Sequence, residues 1–213
     1  VRSTLRSLIT SLRPQQWTKN LFVLAALPFG LKLFDPAAVA RALAAFVVFC
    51  VLSGVVYLVN DLYDRDNDRQ HPIKRLRPIA AGDLTPQSAA LWAGVLAASA
   101  LGAALWIGPR FAAVSAAYLA VFALYSRWLK HLVIIDVMSI AIGFVLRTYA
   151  GAAAIAVPVS DWLIVCTVLL ALFQVRAIRE RVLGRLAARP QLARFRDGLE
   201  GAVPFKRFLA LLE

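Results

Sequence analysis

The stretch NDLYDRDND, residues 60–68, holds four of the chain's twelve acidic residues, Asp61, Asp64, Asp66 and Asp68. If the apolar segment ahead of it continues as a helix past Val59, Asp61, Asp64 and Asp68 are spaced i, i+3 and i+7 and share one face. Asn60 lies one turn before Asp64 and adds its amide to that face, whereas Asp66 points away and is expected to be solvated. Carboxylates so close repel one another unless cations offset them. Hard oxygen clusters of this type suit Mg²⁺, which keeps part of its water shell and bridges carboxylates to substrate phosphates. Lys74, Arg75 and Arg77 follow closely, and their cations, the arginine forks above all, suit phosphate oxygens. Acids for a metal and bases for a diphosphate are complementary parts of one site. The plain alternative is a loop whose acids pair with its own bases. A calcium EF-hand does not fit, because neither its loop glycine nor its Glu at position twelve is present.

A second constellation lies further along. Asp136 and Arg147 are eleven residues apart, close to three helical turns, and so share a face with Ser139 and Gly143. An arginine inside an apolar segment is costly and marks a functional site, with a structural bond to a carbonyl or to Asp136 as the alternative. Tyr125 and Lys130 belong to YSRWLKHLVIID, a short turn that either covers a cavity or anchors at the membrane interface. Lys19, in RPQQWTKN, is a further substrate-binding candidate, and with Trp17 it suits the headgroup boundary. The expected catalytic set is Asp61, Asp64, Asp68, Lys130 and Asp136, and the expected substrate-binding set is Asn60, Lys19, Lys74, Arg75, Arg77, Tyr125 and Arg147.

The elements that must position these residues are membrane helices. The chain of 213 residues is 61% hydrophobic and only 17% charged, with a mean hydropathy of +0.70, against about a quarter charged in soluble domains. A spanning helix takes about 20 apolar residues, and the sequence predicts spans near 18–34, 37–59, 87–107, 111–126, 132–157 and 161–175. The net charge of +12 clusters before the first span, between spans two and three, between four and five, and after the sixth. That is the positive-inside pattern, not a nucleic-acid surface. It predicts an integral membrane protein with both termini cytoplasmic. Lys32, Arg41 and Arg110 fall near the opposite ends. Cys50 and Cys166, the two cysteines, read as small buried hydrophobes rather than a disulfide or metal pair. No cleavable signal peptide is expected. Residues 1–175 read as a membrane-embedded core and 176–213 as a basic, arginine-rich tail, interfacial or non-native. TPQS, from Thr85, is expected to cap the third span.

These motifs carry a resemblance. NDLYDRDND is similar to the NDxxDxxxD motif of the UbiA superfamily of intramembrane prenyltransferases, through Asn60, Asp61, Asp64 and Asp68. LRPQQWTKNLFVLAAL, NDLYDRDNDRQHPIKRLRPIAAG and YSRWLKHLVIIDVMSIAIGFVLRTYAGAAA resemble its decaprenyl-phosphate phosphoribosyltransferase branch. The resemblance implies an all-α, polytopic membrane helical bundle with a central cavity, about six spans being present of about nine expected. It also implies a bacterial plasma membrane with a cytoplasmic active site. It implies a Mg²⁺-dependent transferase joining phosphoribosyl pyrophosphate to a polyprenyl phosphate and releasing pyrophosphate, a step towards cell-wall arabinan. By matching position, Asp61, Asp64 and Asp68 would hold Mg²⁺ with help from Asn60, and Lys74, Arg75 and Arg77 would meet phosphates. Alternatives stay open. One is prenyl transfer from a prenyl diphosphate to an aromatic acceptor. Another is an inactive or split membrane protein, homo-oligomeric or completed by a complementary chain, because FQVRAIRERVLGRL only distantly echoes the branch's second charged motif. Ion transport is a weaker reading, since the acids lie in a loop rather than mid-span.

Overall fold

Three of the long helices open at a proline, whose missing N–H is no loss in a first turn. Asp35 accepts from the backbone N–H groups of Ala37 (3.1 Å) and Ala38 (3.2 Å) and so caps α3, Pro36–Tyr63. Thr85 accepts from the Ser88 N–H at 3.2 Å and caps α6, Pro86–Ile107, as TPQS predicts. Gly108 separates α6 from α7, Pro109–Arg127. These observations come from a computed structural model, which describes residues 4–127, 133–159, 161–170 and 173. Side chains of 133–138 and 140 are outside the description, as are the tail 176–213, Lys130 and most of 171–175.

Among the described residues every regular element is helical. The short α1, Thr4–Ser11, precedes a 3₁₀ helix over Pro14–Ala25 and α2, Ala26–Phe29. After α3 come α4, Arg65–Gln70, a 3₁₀ turn over Lys74–Leu76, and α5, Pro78–Ala81. Helices α6 and α7 follow, then α8, Val133–Ala154, and a helical stretch Asp161–Leu170. Helices α3, α6 and α7 are each long and apolar enough to cross a membrane. The 28 residues of α3 reach about 42 Å at 1.5 Å per residue. A hydrocarbon layer of about 30 Å leaves two turns over, and the last of these carries Asn60 and Asp61.

The first predicted span differs. Residues 18–34 contain no α-helix of spanning length, and the chain there winds as the twelve-residue 3₁₀ helix followed by the single turn of α2. A 3₁₀ helix rises about 2.0 Å per residue, so it covers more depth with fewer residues. It packs between α3 and α8. The core lies there, with Val23, Phe49, Leu52, Phe111, Tyr118 and Ala150 buried together. A second cluster, including Leu8, Leu58, Ile79 and Leu84, fixes α1 and the polar insertion 64–85 against α3. Leu91 and Trp106 of α6 are exposed, the outward apolar face that lipid covers. Cys50 is buried as expected, but Cys166 is exposed.

Candidate active site

The acidic motif divides at its middle. Helix α3 ends at Tyr63, and Asp64 adopts φ −91°, ψ 0°, outside the α-helical basin, before α4 begins at Arg65. The single continuous helix expected across 60–68 is therefore broken at Asp64. The helical turn resumes at once, since the Asp68 N–H donates to the Asp64 carbonyl at 2.8 Å. Asp61 and Asp68 still converge. Both are about 2% exposed, and one nitrogen, Nη1 of Arg77, donates to Asp61 Oδ1 at 3.1 Å and Asp68 Oδ2 at 2.6 Å. Arg13 also pairs with Asp61 Oδ1. Asp66 is exposed and, among the described residues, pairs with Arg65 and Arg69 at the surface, in line with the expected solvation.

Asp64 turns instead into a cavity of about 340 Å³, together with Asn60, Lys74, Tyr125, Lys19 and Arg147. The structure thus gathers six of the expected substrate or metal residues around one space. It leaves others out: Arg75 is exposed on the insertion, and Arg77 is committed to the two buried acids. Lys130 lies outside the described residues, and for Asp136 only its place on α8 is described. Arg13, Tyr57, Tyr118 and Ser53 also line the cavity. Sequence spacing did not mark them. For Arg13 the available signal was its place in the LRPQQWTKN segment.

Arg147 is the innermost cation, 7% exposed. Its Nε donates to Asn20 Oδ1, Nη1 to the Gly143 carbonyl and Nη2 to the Tyr118 hydroxyl, each at 2.8 Å. Asn20 is itself held by Ser53 Oγ at 3.1 Å and Cys50 Sγ at 3.4 Å. The guanidinium lies over the Tyr118 ring, 5.0 Å from its centroid. Of the two structural partners expected for Arg147, a carbonyl does hold it, the Asp136 side chain lies outside the described residues, and the other partners are neutral side chains from the 3₁₀ helix and α7. No described carboxylate bonds to it. The cavity lining carries Arg13, Lys19, Lys74 and Arg147 against one acid, Asp64, and a buried charge of this sign attracts an anion.

Among the described residues no group of three or more His, Cys, Asp or Glu comes close enough to hold an ion. Mg²⁺ does not need one, because it is commonly bound through one or two carboxylates plus waters and substrate phosphates. Asp61 and Asp68 already converge on a single cationic nitrogen, so hard oxygens meet at a position suited to positive charge. The residues fit. Next to this polar cavity lies an apolar one of about 420 Å³ between α3, α6 and α7, and the two share Val56 and Phe122 as walls.

Comparison with known proteins places this geometry. The profile of the UbiA prenyltransferase family matches residues 20–181. A decaprenyl-phosphate phosphoribosyltransferase of Mycolicibacterium smegmatis is 37% identical over 203 residues, covering 93% of this chain and 63% of the relative. One from Corynebacterium glutamicum is 37% identical over 207 residues, covering 95% of this chain and 62% of the relative. The chain thus spans less than two thirds of the length of these curated relatives. Among solved structures, a UbiA homologue from Archaeoglobus fulgidus bound to GPP and Mg²⁺ superimposes with a TM-score of 0.69 at 22% identity, covering 92% of this chain and 66% of that one. The same homologue bound to DMAPP and Mg²⁺ gives 0.68 at 24% identity, covering 78% and 60%. At these identities the likeness is one of fold.

Proposed function

The chain belongs to the UbiA prenyltransferase family, and on that premise we propose that its cavity transfers phosphoribose from phosphoribosyl pyrophosphate to a polyprenyl phosphate. The observation that carries the reading is the surplus of cations around the cavity, with Arg147 buried among neutral partners. A single diphosphate would be met by the rim cations and the acidic motif. The inner pair, Lys19 and Arg147, suits a second phosphate, which an aromatic acceptor lacks. The curated relatives named as decaprenyl-phosphate phosphoribosyltransferases support the same choice.

In this reading Lys74 and Arg13 bind the donor diphosphate, and Arg147 and Lys19 hold the acceptor phosphate. Asn20 fixes the plane of the guanidinium through Nε. The Tyr118 oxygen accepts from Arg147, which leaves its own O–H to donate to an anion. The acceptor oxygen forms the new bond to the anomeric carbon as the bond from that carbon to the diphosphate oxygen breaks. The electron pair leaves with pyrophosphate. The attacking oxygen is already anionic, so no general base is required. Asp61 and Asp68, with Asp64 and Asn60 beside them, are the residues that would hold Mg²⁺. When bound, that ion supplies charge neutralisation at the departing diphosphate. The polyprenyl chain would lie against the apolar cavity beyond Val56 and Phe122. Positive-inside charge would place this end of the bundle in the cytoplasm.

Purified protein in lipid, given phosphoribosyl pyrophosphate, a polyprenyl phosphate and Mg²⁺, is expected to release pyrophosphate only when all three are present. Release from a prenyl diphosphate with an aromatic acceptor, and none from the phosphoribosyl donor, would overturn the assignment.

A further inference from the structure

Arg13 sits at the junction between α1 and the 3₁₀ helix with φ 52° and ψ 63°, a left-handed conformation that a non-glycine residue adopts only when its surroundings hold it. The surroundings are one face of α3. Leu12 packs so closely on Gly54 that a Cβ there would meet its Cδ2 at 2.7 Å. The Arg13 guanidinium lies 4.7 Å from the Tyr57 ring centroid and pairs with Asp61. Gly54, Tyr57 and Asp61 are spaced i, i+3 and i+7, so a single stripe seats the whole junction.

Two guanidiniums meet at one oxygen of Asp61. Arg77 alone bridges it to Asp68, and Arg13 adds a second guanidinium to the same oxygen, Oδ1. Two acids and two arginines make a neutral cluster. Of the two cations, Arg13 is the one that also lines the cavity. A divalent ion entering beside Asp61 would repel a guanidinium, and a diphosphate arriving with it would attract one. We propose that Arg13 is an exchangeable counter-ion: it holds Asp61 in the empty site, yields the carboxylate to the metal, and moves its guanidinium onto the diphosphate. This rests on the phosphoryl-site reading above. It makes Arg13 a metal competitor and a diphosphate ligand at once, which no purely structural salt bridge is.

The test is direct binding to the full chain in detergent, with Mn²⁺ followed by electron paramagnetic resonance and inorganic diphosphate by calorimetry at saturating Mn²⁺. R13Q is expected to bind Mn²⁺ several-fold more tightly and diphosphate about tenfold more weakly, as for the loss of a charge-assisted bond. R13K, which keeps the charge but not the fork, is expected to shift both in the same opposed directions by less. It carries the test if R13Q does not fold. Changes of equal sign in the two affinities, or none, would overturn the exchange while leaving the site reading intact. Wild-type protein that binds neither probe would overturn both.

Discussion

Replacing Gly151 by alanine tests how the site is held together. Gly143, Arg147 and Gly151 repeat every four residues on α8, and the last two meet the 3₁₀ helix at Asn20 and Val23. A Cβ at Gly151 would lie 2.8 Å from the Val23 carbonyl carbon and 3.2 Å from its Cα, and closer still to the oxygen. Carbon atoms rest at about 3.5–4.0 Å, so the backbone at Val23 must retreat by roughly 1 Å. No side chain can yield in its place. Asn20 is one 3₁₀ turn away and moves with Val23, which takes its Oδ1 beyond hydrogen-bond reach of Arg147 Nε, now at 2.8 Å. Overpacking costs about 1–3 kcal/mol and a hydrogen bond to a charged group about 1.5–3 kcal/mol. Together they predict a loss of about 3–5 kcal/mol. The assay is thermal unfolding in micelles by tryptophan fluorescence, with a midpoint lower by on the order of 10 °C. Gly102→Ala is the control, because nothing lies within 4 Å of its Cβ position, and a mid-helix Gly→Ala change alone stabilises by about 0.5–1 kcal/mol. If both alanines shift the midpoint alike, the close crossing does not position Asn20, and the reasoning fails.

Two further perturbations separate the acids. Arg77→Ala leaves Asp61 and Asp68 facing each other without their shared cation, and a loss of about 3 kcal/mol is expected; adding Asp68→Asn should recover part of it in a double-mutant cycle measured by chemical unfolding. At the opposite end, the Asp35 carboxyl is held below its usual range by the Ala38 N–H first and then by Lys32 and Ala37. Its folded value is the lower one, so its stabilisation is present above the ordinary carboxylate range and is lost as pH falls through the depressed value. Midpoints measured from neutral to acid pH should fall less steeply for Asp35→Asn than for wild type.

Local chemistry was legible in the sequence, and long-range chemistry was not. The starts of α3, α6 and α7 follow from Pro36, Pro86 and Pro109, since proline in a first turn is a local steric fact. Arg147 was legible as a costly charge. Its partner Asn20 was not, because 127 residues separate them, and an asparagine in an apolar run reads equally as a surface residue. Arg13 and Asp61, 48 residues apart, meet where Leu12, just past α1, packs on Gly54. The apolarity of 18–34 predicted burial but not winding, because a 3₁₀ helix and an α-helix hide the same composition. The break at Asp64 escaped for a related reason. The spacing of Asp61, Asp64 and Asp68 is helical, and one residue off the basin leaves that spacing almost unchanged.

The placement of the cations has a kinetic consequence. Lys74 and Arg75 are exposed on the polar insertion, within reach of counter-ions whose Debye length is about 8 Å at physiological ionic strength. Arg147 lies beside Tyr118 and Phe144 in the helical core, 7% exposed, where a buried charge is screened less than one at the rim. Rim charge acts over distance and governs how often an anion arrives, and that rate falls as salt is added. On the proposed reading, the inner guanidinium would act at contact and govern how long the anion stays, a lifetime less sensitive to salt than arrival. Arrival and residence would then be set by different residues, with different sensitivities to the medium.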